Sequence, residues 1–246
     1  MNVARSAEQR SVRGSITVVV PAYNEEGVIA RTVEDIVETL SSAADDFEVV
    51  VVDDGSRDCT ASIVNGLRER FAMLRLVSHA NNRGYGAALA SGFAAATREL
   101  IFLTDGDGQF DVRELPGFLT RLETADLVIG YRRPRADPRL RRLYGWGWNM
   151  LVNSLFGYVA RDADCAFKLF RRRVLCEVKI YSTGHTISPE LLIKARRAGF
   201  RVAEARVTHL PRTSGEAKGA RLDAVIRALC ELARLRLEIA RLPPRP

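Results

Sequence analysis

Apolar positions in the first half of the chain alternate between two patterns. Short aliphatic runs at 16–20 (ITVVV), 47–52 (FEVVVV), 74–77, 100–103 and 127–129 are rich in β-branched residues and most end at turn-forming or acidic residues. Such runs predict strands buried on both faces of a parallel sheet. Between them, apolar residues recur at three- and four-residue spacing over 26–40 (Val28, Ile29, Val33, Ile36, Val37, Leu40), 58–71, 85–97 and 112–122. These stretches predict amphipathic helices. Strand and helix alternating through residues 16–129 give an open α/β sheet, in which ligands sit beyond the carboxyl ends of the strands.

The rhythm changes after Gly130. An arginine-rich link (Arg132, Arg133, Arg135, Arg139, Arg141, Arg142) precedes residues 143–160, which carry no charge and hold both tryptophans. A short apolar run at 165–170, a helix at 189–197, a strand at 200–207 and a loop at 211–219 follow. The last helix repeats Leu222, Val225, Ile226, Leu229, Leu232 and Ala233 at helical spacing, with Arg227, Arg234 and Arg241 on its polar face. No repeat or low-complexity linker interrupts the chain. The expected organisation is a disordered segment at 1–14, one main domain at 15–218 with halves at 15–130 and 131–218, and an appended amphipathic helix and tail at 219–246.

With 246 residues, 47% hydrophobic and 27% charged, the chain is globular rather than disordered or fibrous. Its formal charge of +7 is divided unevenly, net −8 over residues 1–126 and net +15 over 127–246. A nucleic-acid role, the generic reading of a basic chain, is not expected, because the arginines are not interleaved with a recognised binding module. Cys59, Cys165, Cys176 and Cys230 are widely spaced without a CxxC pair, so buried thiols in a reducing compartment are expected rather than zinc or disulfides. The first fourteen residues show no secretory signal. Residues 143–160 come nearest to a membrane span, but Gly145, Gly147, Asn149, Asn153 and Ser154 make them too polar. A helix lying in a membrane interface and an ordinary core helix both fit this segment.

Candidate chemistry sits at the strand ends. Asp105-Gly106-Asp107-Gly108-Gln109 follows directly on the strand at 100–103. Two carboxylates separated by one glycine can face the same crevice and suit Mg²⁺ or Mn²⁺ bridging a diphosphate; alone, the same residues also make a common acidic turn. Pro21-Ala22-Tyr23-Asn24-Glu25, Asp53-Asp54-Gly55-Ser56 and Asn81-Asn82-Arg83-Gly84-Tyr85-Gly86 stand at the other ends. With these motifs in order, residues 15–218 resemble the family 2, GT-A-fold glycosyltransferases, and within them the polyprenol (dolichol) phosphate mannose or glucose synthase branch. The resemblance implies a GT-A fold: a Rossmann-like open mixed sheet flanked by helices, with the C-terminal helix appended.

It also implies roles. Pro21, Ala22, Tyr23, Glu25 and Asp53 would hold the base and ribose of a nucleotide sugar, with Arg83, Gly84 and Asp105 near its phosphates. Asp53 read as a cap for the helix after Asp58 is less apt than Asp54 or Ser56. Asp105, Asp107 and Gln109 match the metal-binding D-x-D-x-Q. Gly130-Tyr131-Arg132, with Arg139, Arg141 or Arg142, falls where the branch directs arginines at a lipid phosphate; a solvated basic loop drawn to an anionic membrane is the equal alternative. Asp162-Ala163-Asp164-Cys165-Ala166-Phe167-Lys168 resembles D-x-x-C-G-F-K, placing Asp164 on the acceptor side and leaving Phe167 and Phe170 to packing. Glu190 either orients the sugar or complements a helix dipole. Arg212 and Lys218 would contact the leaving group, with Gly215 as hinge.

The expected activity is metal-dependent, inverting transfer of a hexose from a nucleotide-diphosphate sugar to a polyprenyl phosphate, by a protein peripheral on the cytoplasmic face of the membrane. The alternative is a soluble family 2 enzyme acting on a hydroxyl of a glycan, glycolipid or natural product, with Asp164 or Glu190 as base. The QxxRW signature of processive polysaccharide synthases is absent. Oligomeric state is not legible.

Overall fold

The computed structural model describes residues 12–133, 135–212 and 222–241. The elements run β1 (Val12–Ala22), α1 (Ile29–Ala43), β2 (Ala44–Asp53), α2 (Thr60–Arg68), β3 (Leu74–Ser78), α3 (Tyr85–Ala95), β4 (Leu100–Leu103), a 3-10 turn (Val112–Glu114), α4 (Leu115–Leu122) and β5 (Leu127–Arg132). Then come α5 (Arg139–Phe156), β6 (Lys168–Arg171), α6 (Arg173–Glu177), α7 (Ile187–Arg197), β7 (Val202–Val207) and α8 (Leu222–Arg241). The strands form one sheet in the order β3-β2-β1-β4-β6-β5-β7. Among the described strands, only β6 runs antiparallel to its neighbours, β4 and β5. The sheet is therefore open and mixed, as expected.

Its centre is dry because β1 and β2 present apolar side chains to both faces. Val49 and Val51 join the main core with α1, whereas Val50 and Val52 pack with Ala88 of α3 in a separate cluster. Small residues on α3 let it lie close to the sheet; a Cβ at Gly92 would come within 2.3 Å of Val19. Around β4, Phe167 contacts the rings of Phe102 and Phe118, each at a centroid distance of 4.7 Å. Phe167 and Phe170 are fully buried, in agreement with a packing role.

Several expectations need correction. β1 starts at Val12, inside the segment read as a disordered leader. The short helix α6 was not anticipated, since five residues carry no measurable periodicity. On α8, Leu232, Leu235 and Ile239 are buried, while Val225, Ile226 and Leu229 are exposed; the packed stripe lies further along the helix than its apolar spacing indicated. Cys165 alone among the cysteines is buried, whereas Cys59, Cys176 and Cys230 are exposed. Residues 213–219, with Gly215 and Lys218, lie outside the described residues.

Candidate active site

Backbone bonds join the strand ends before any side chain acts. Asp54 N donates to Ala22 O at 2.9 Å and Gly106 N to Pro21 O at 3.2 Å, and Ala22 is the register partner of Asp53. Pro21, Ala22, Asp53 and Asp105 thus share one rim. Tyr23 is half-buried there, and the buried Glu25 is fixed through its N–H, which donates to Thr60 Oγ1 at 2.8 Å. Asp53 accepts the Ser56 N–H at 3.2 Å. Asp54 instead anchors α3: it accepts from the N–H groups of Arg83 (2.9 Å) and Gly84 (2.8 Å). The helix after Asp58 is served by Asp58 itself, which accepts from Thr60 N at 3.0 Å, so neither Asp54 nor Ser56 caps it.

Gly84 has φ +95° and opens α3. At Gly86 a Cβ would come within 2.5 Å of Thr183 C and 2.6 Å of Thr183 O. Only glycine admits that approach, so the segment before α7 lies directly on the turn that begins α3. The same contact stacks His185 on Tyr85, with centroids 5.3 Å apart and planes 20° apart. Tyr85 in turn donates its hydroxyl to Asp105 Oδ1 at 3.1 Å.

Asp105 is half-buried, with protein packed densely around it. Burial and the neighbouring Asp107 charge push its carboxyl up to about 7, with the Tyr85 bond opposing them. Asp107 is tied into its turn by the Gln109 N–H at 3.1 Å. Gln109 clips on the chain leaving β7: its Nε2 donates to Leu210 O at 2.9 Å, and Leu210 N returns a bond to Gln109 O at 2.8 Å. That clip delivers Arg212, whose guanidinium lies 2.5 Å from Asp107 Oδ2 and 3.4 Å from Glu25 Oε1.

The oxygen donors fit a divalent cation. Asp105 and Asp107 are hard anionic ligands one residue apart, and Mg²⁺ sites of this type take one or two carboxylates and complete their shell with water and substrate phosphates. The mutual repulsion that raises Asp105 is what a cation would relieve. Among the described residues, no three His, Cys, Asp or Glu side chains converge.

On the other side of the crevice a buried charge cluster was only partly legible. Arg132 forms a bidentate pair with Asp162, both contacts 2.7 Å. Burial depresses Arg132, but Asp162 more than offsets it and holds the guanidinium charged. Lys168 is fully buried, donating to Cys165 O and to Ser188 Oγ at 3.0 Å; burial pulls its ammonium down. Asp164 lies between these charges and is raised by burial and by Asp162. Its Oδ1 is buried without a hydrogen-bond partner. Tyr85, His185 and Lys168 were not singled out from sequence, because each acts through a contact remote along the chain.

The structure also ranks the arginines. Arg135 and Arg141 pair with Asp137 at 2.6 and 3.4 Å, whereas Arg139 and Arg142 are exposed on the first turn of α5 and make no ion pair among the described residues. Only Val152 of α5 is fully buried, and Leu140, Leu143, Tyr144, Trp146 and Met150 are exposed. Residues 143–156 are therefore a surface helix and not a core helix. Glu190 is buried and turned to the segment before α7, accepting from Tyr181 N (3.0 Å) and Ser182 N (2.8 Å) and pairing with Lys194 at 2.7 Å. The structure does not bring it together with the acidic pair by any described contact.

Known proteins resemble this chain in sequence and in fold. The chain is 33% identical over 210 residues to a dodecaprenyl-phosphate galacturonate synthase of Rhizobium johnstonii, covering 82% of this chain and 61% of that protein. It is 30% identical over 214 residues to a dolichyl-phosphate β-glucosyltransferase of Trichomonas vaginalis, covering 78% and 64%. It thus spans less than two thirds of the length of these relatives. Among solved structures, glucosyl-3-phosphoglycerate synthase from Mycobacterium tuberculosis with Mn²⁺, UDP and phosphoglyceric acid superimposes with a TM-score of 0.70 at 21% identity, covering 94% of this chain and 80% of that one. The fold is accordingly that of the GT-A glycosyltransferases. Residues 17–178 match glycosyl transferase family 2, and with the relatives above they establish that the chain belongs to that family.

Proposed function

We propose that this chain is a metal-dependent inverting glycosyltransferase that moves a hexose from a nucleotide-diphosphate sugar to a polyprenyl phosphate at the cytoplasmic face of a membrane. The observation that carries the reading is that Arg212, on the chain that follows β7, meets Asp107 of the acidic strand end, while Arg132 lies near enough to bear on the Asp105 charge. The polyprenyl-phosphate acceptors in the relatives' names support the acceptor.

Pro21, Ala22, Tyr23, Glu25 and Asp53 would seat the nucleoside, with Arg83 and Gly84 toward its phosphates. A divalent cation held by Asp105 and Asp107 would neutralise charge developing on the leaving diphosphate. Arg212 reaches the same place and adds fixed positive charge there; Lys218 is assigned alongside it from the sequence. A phosphate acceptor is already ionised near neutral pH, so it needs orientation rather than a strong base. Arg132 is locked by Asp162 and would present a preorganised charge, with Arg139, Arg141 and Arg142 nearer the surface. The exposed aromatic and aliphatic residues of α5, flanked by Arg139 and Arg142, suit an anionic lipid interface. Among the described residues no helix is long and apolar enough to cross a membrane.

Asp164 favours a second reading. A buried carboxyl raised by its surroundings, with Oδ1 lacking a partner, is suited to take a proton from a hydroxyl acceptor. The discriminating assay supplies nucleotide sugars with Mn²⁺ and either polyprenyl phosphate or soluble hydroxyl acceptors. Transfer to the lipid phosphate with inverted anomeric configuration is expected; transfer to hydroxyl acceptors alone would overturn the lipid-phosphate reading in favour of the second.

A further inference from the structure

The family match ends at residue 178, yet the segment that lies on Gly86 is held from beyond it. Glu231, on the inner side of α8, accepts from Thr183 N at 3.3 Å and Gly184 N at 3.2 Å through one oxygen, Oε1. A second strut runs in parallel: Glu238 of α8 pairs with Lys194 at 2.8 Å, and Lys194 pairs with Glu190, whose carboxylate holds the amides of Tyr181 and Ser182. Four consecutive amides, 181 to 184, thus end on carboxylates, two of them on Glu231 itself.

The held segment faces the acidic strand end. Thr183 and Gly184 touch Gly86, His185 stacks on Tyr85, and Tyr85 donates to Asp105. We propose that Glu231 is a positioning residue of the donor site: it sets the 183–185 turn against Gly86, and with it the His185 ring and the Tyr85 hydroxyl. This rests on reading the crevice as a nucleotide-sugar site. The helix that looked like an appendage in the sequence then completes the site's wall. A helical carboxylate suits the task because it accepts two adjacent N–H groups that the turn cannot satisfy internally.

The test compares wild type, Glu231→Ala and Glu231→Gln by amide hydrogen exchange and by calorimetric binding of UDP, GDP, CDP and dTDP, each with Mn²⁺. For Glu231→Ala, exchange at Thr183 and Gly184 should accelerate about tenfold, the effect of losing about one hydrogen bond's worth of local stability. Affinity for the nucleotide that wild type binds should fall about fivefold or more. Glu231→Gln keeps an acceptor oxygen and should return both values to within about twofold, a rescue that general destabilisation would not give. If Glu231→Ala does not fold, Gly184→Ala presses on the same contact, because its Cβ would stand 3.1 Å from Glu231 Oε2, and should loosen the turn in the same way. Unchanged exchange, or a loosened turn with unchanged nucleotide affinity, would overturn the role of Glu231. Failure of wild type to bind any of the four nucleotides would instead remove the donor-site reading, while the exchange data still report whether Glu231 holds the turn.

Discussion

Arg212 and Asp107, 105 residues apart in sequence, form an ion pair at 2.5 Å across the mouth of the crevice. The guanidinium puts one positive charge where the carboxylates would hold a cation. On the proposed function, arginine and metal would compete for Asp107 in the protein without donor and would act together once a diphosphate supplies further negative charge.

That competition predicts opposite effects from one substitution. Arg212→Ala should bind Mn²⁺ about fivefold more tightly without donor, as removal of about 1 kcal/mol of ion-pair competition implies. Its turnover should nevertheless fall on the order of a hundredfold, through loss of leaving-group stabilisation. Titration followed by Mn²⁺ paramagnetic resonance, alongside steady-state rates, measures both; unchanged Mn²⁺ affinity would argue against the competition.

Asp107→Ala should abolish Mn²⁺-dependent thermal stabilisation by nucleotide, since the site loses one of two carboxylates. A thermal-shift series with and without Mn²⁺ reads this out, and retained metal-dependent stabilisation would place the cation elsewhere.

The arginines should separate by role. Asp162→Ala strands the buried Arg132 charge and should cost about 3–5 kcal/mol of stability in urea unfolding. The double change Arg139→Ala, Arg142→Ala should leave stability within about 0.5 kcal/mol. Its binding to phosphatidylserine vesicles should nonetheless weaken, by about 1 kcal/mol per arginine at low salt. Equal vesicle binding would remove these residues from any lipid contact.

Acid sensitivity should trace in part to Glu48. Its carboxylate accepts from Thr17 Oγ1, from Thr97 N and Oγ1, and from Arg75. Burial would raise its pKa, but these bonds outweigh burial and lower it from 4.5 to about 2. A depressed carboxylate contributes its full stability above pH 4.5 and loses it as pH falls toward 2. Glu48→Gln should thus lower the melting temperature at pH 7 but show a smaller further drop between pH 5 and pH 3 than wild type. Parallel curves would exclude this group.

The parts of the fold written in local pattern were legible. The runs 16–20, 47–52 and 100–103 mark strands because burial on both faces demands predominantly apolar residues, broken only by Thr17 and Glu48, which bond to each other, and the acidic cluster at 105–109 marks the strand end because a turn follows directly. Which arginine is held in a fixed orientation was not legible, since Arg132 is fixed by Asp162 thirty residues away and no spacing rule announces that pair. Asp54 was misassigned for the same reason: its partners are amides of residues 83 and 84, reached through the sheet. Gly86 makes room for Thr183, and chain-to-chain contact of this kind leaves no periodic trace.

The reversal of β6 has a consequence for how such a chain can change its acceptor. Because β5 and β6 are antiparallel neighbours, with Ile129 opposite Lys168, the chain between them leaves the sheet and returns to it at the same end of the strands. Topologically it is one oversized hairpin loop, with α5 as its contents. Such a loop can be exchanged for another of different length without shifting the register of any strand. The strands β1 to β4 would keep their geometry through that exchange, so on the proposed function new acceptors could be grafted onto an unchanged donor platform.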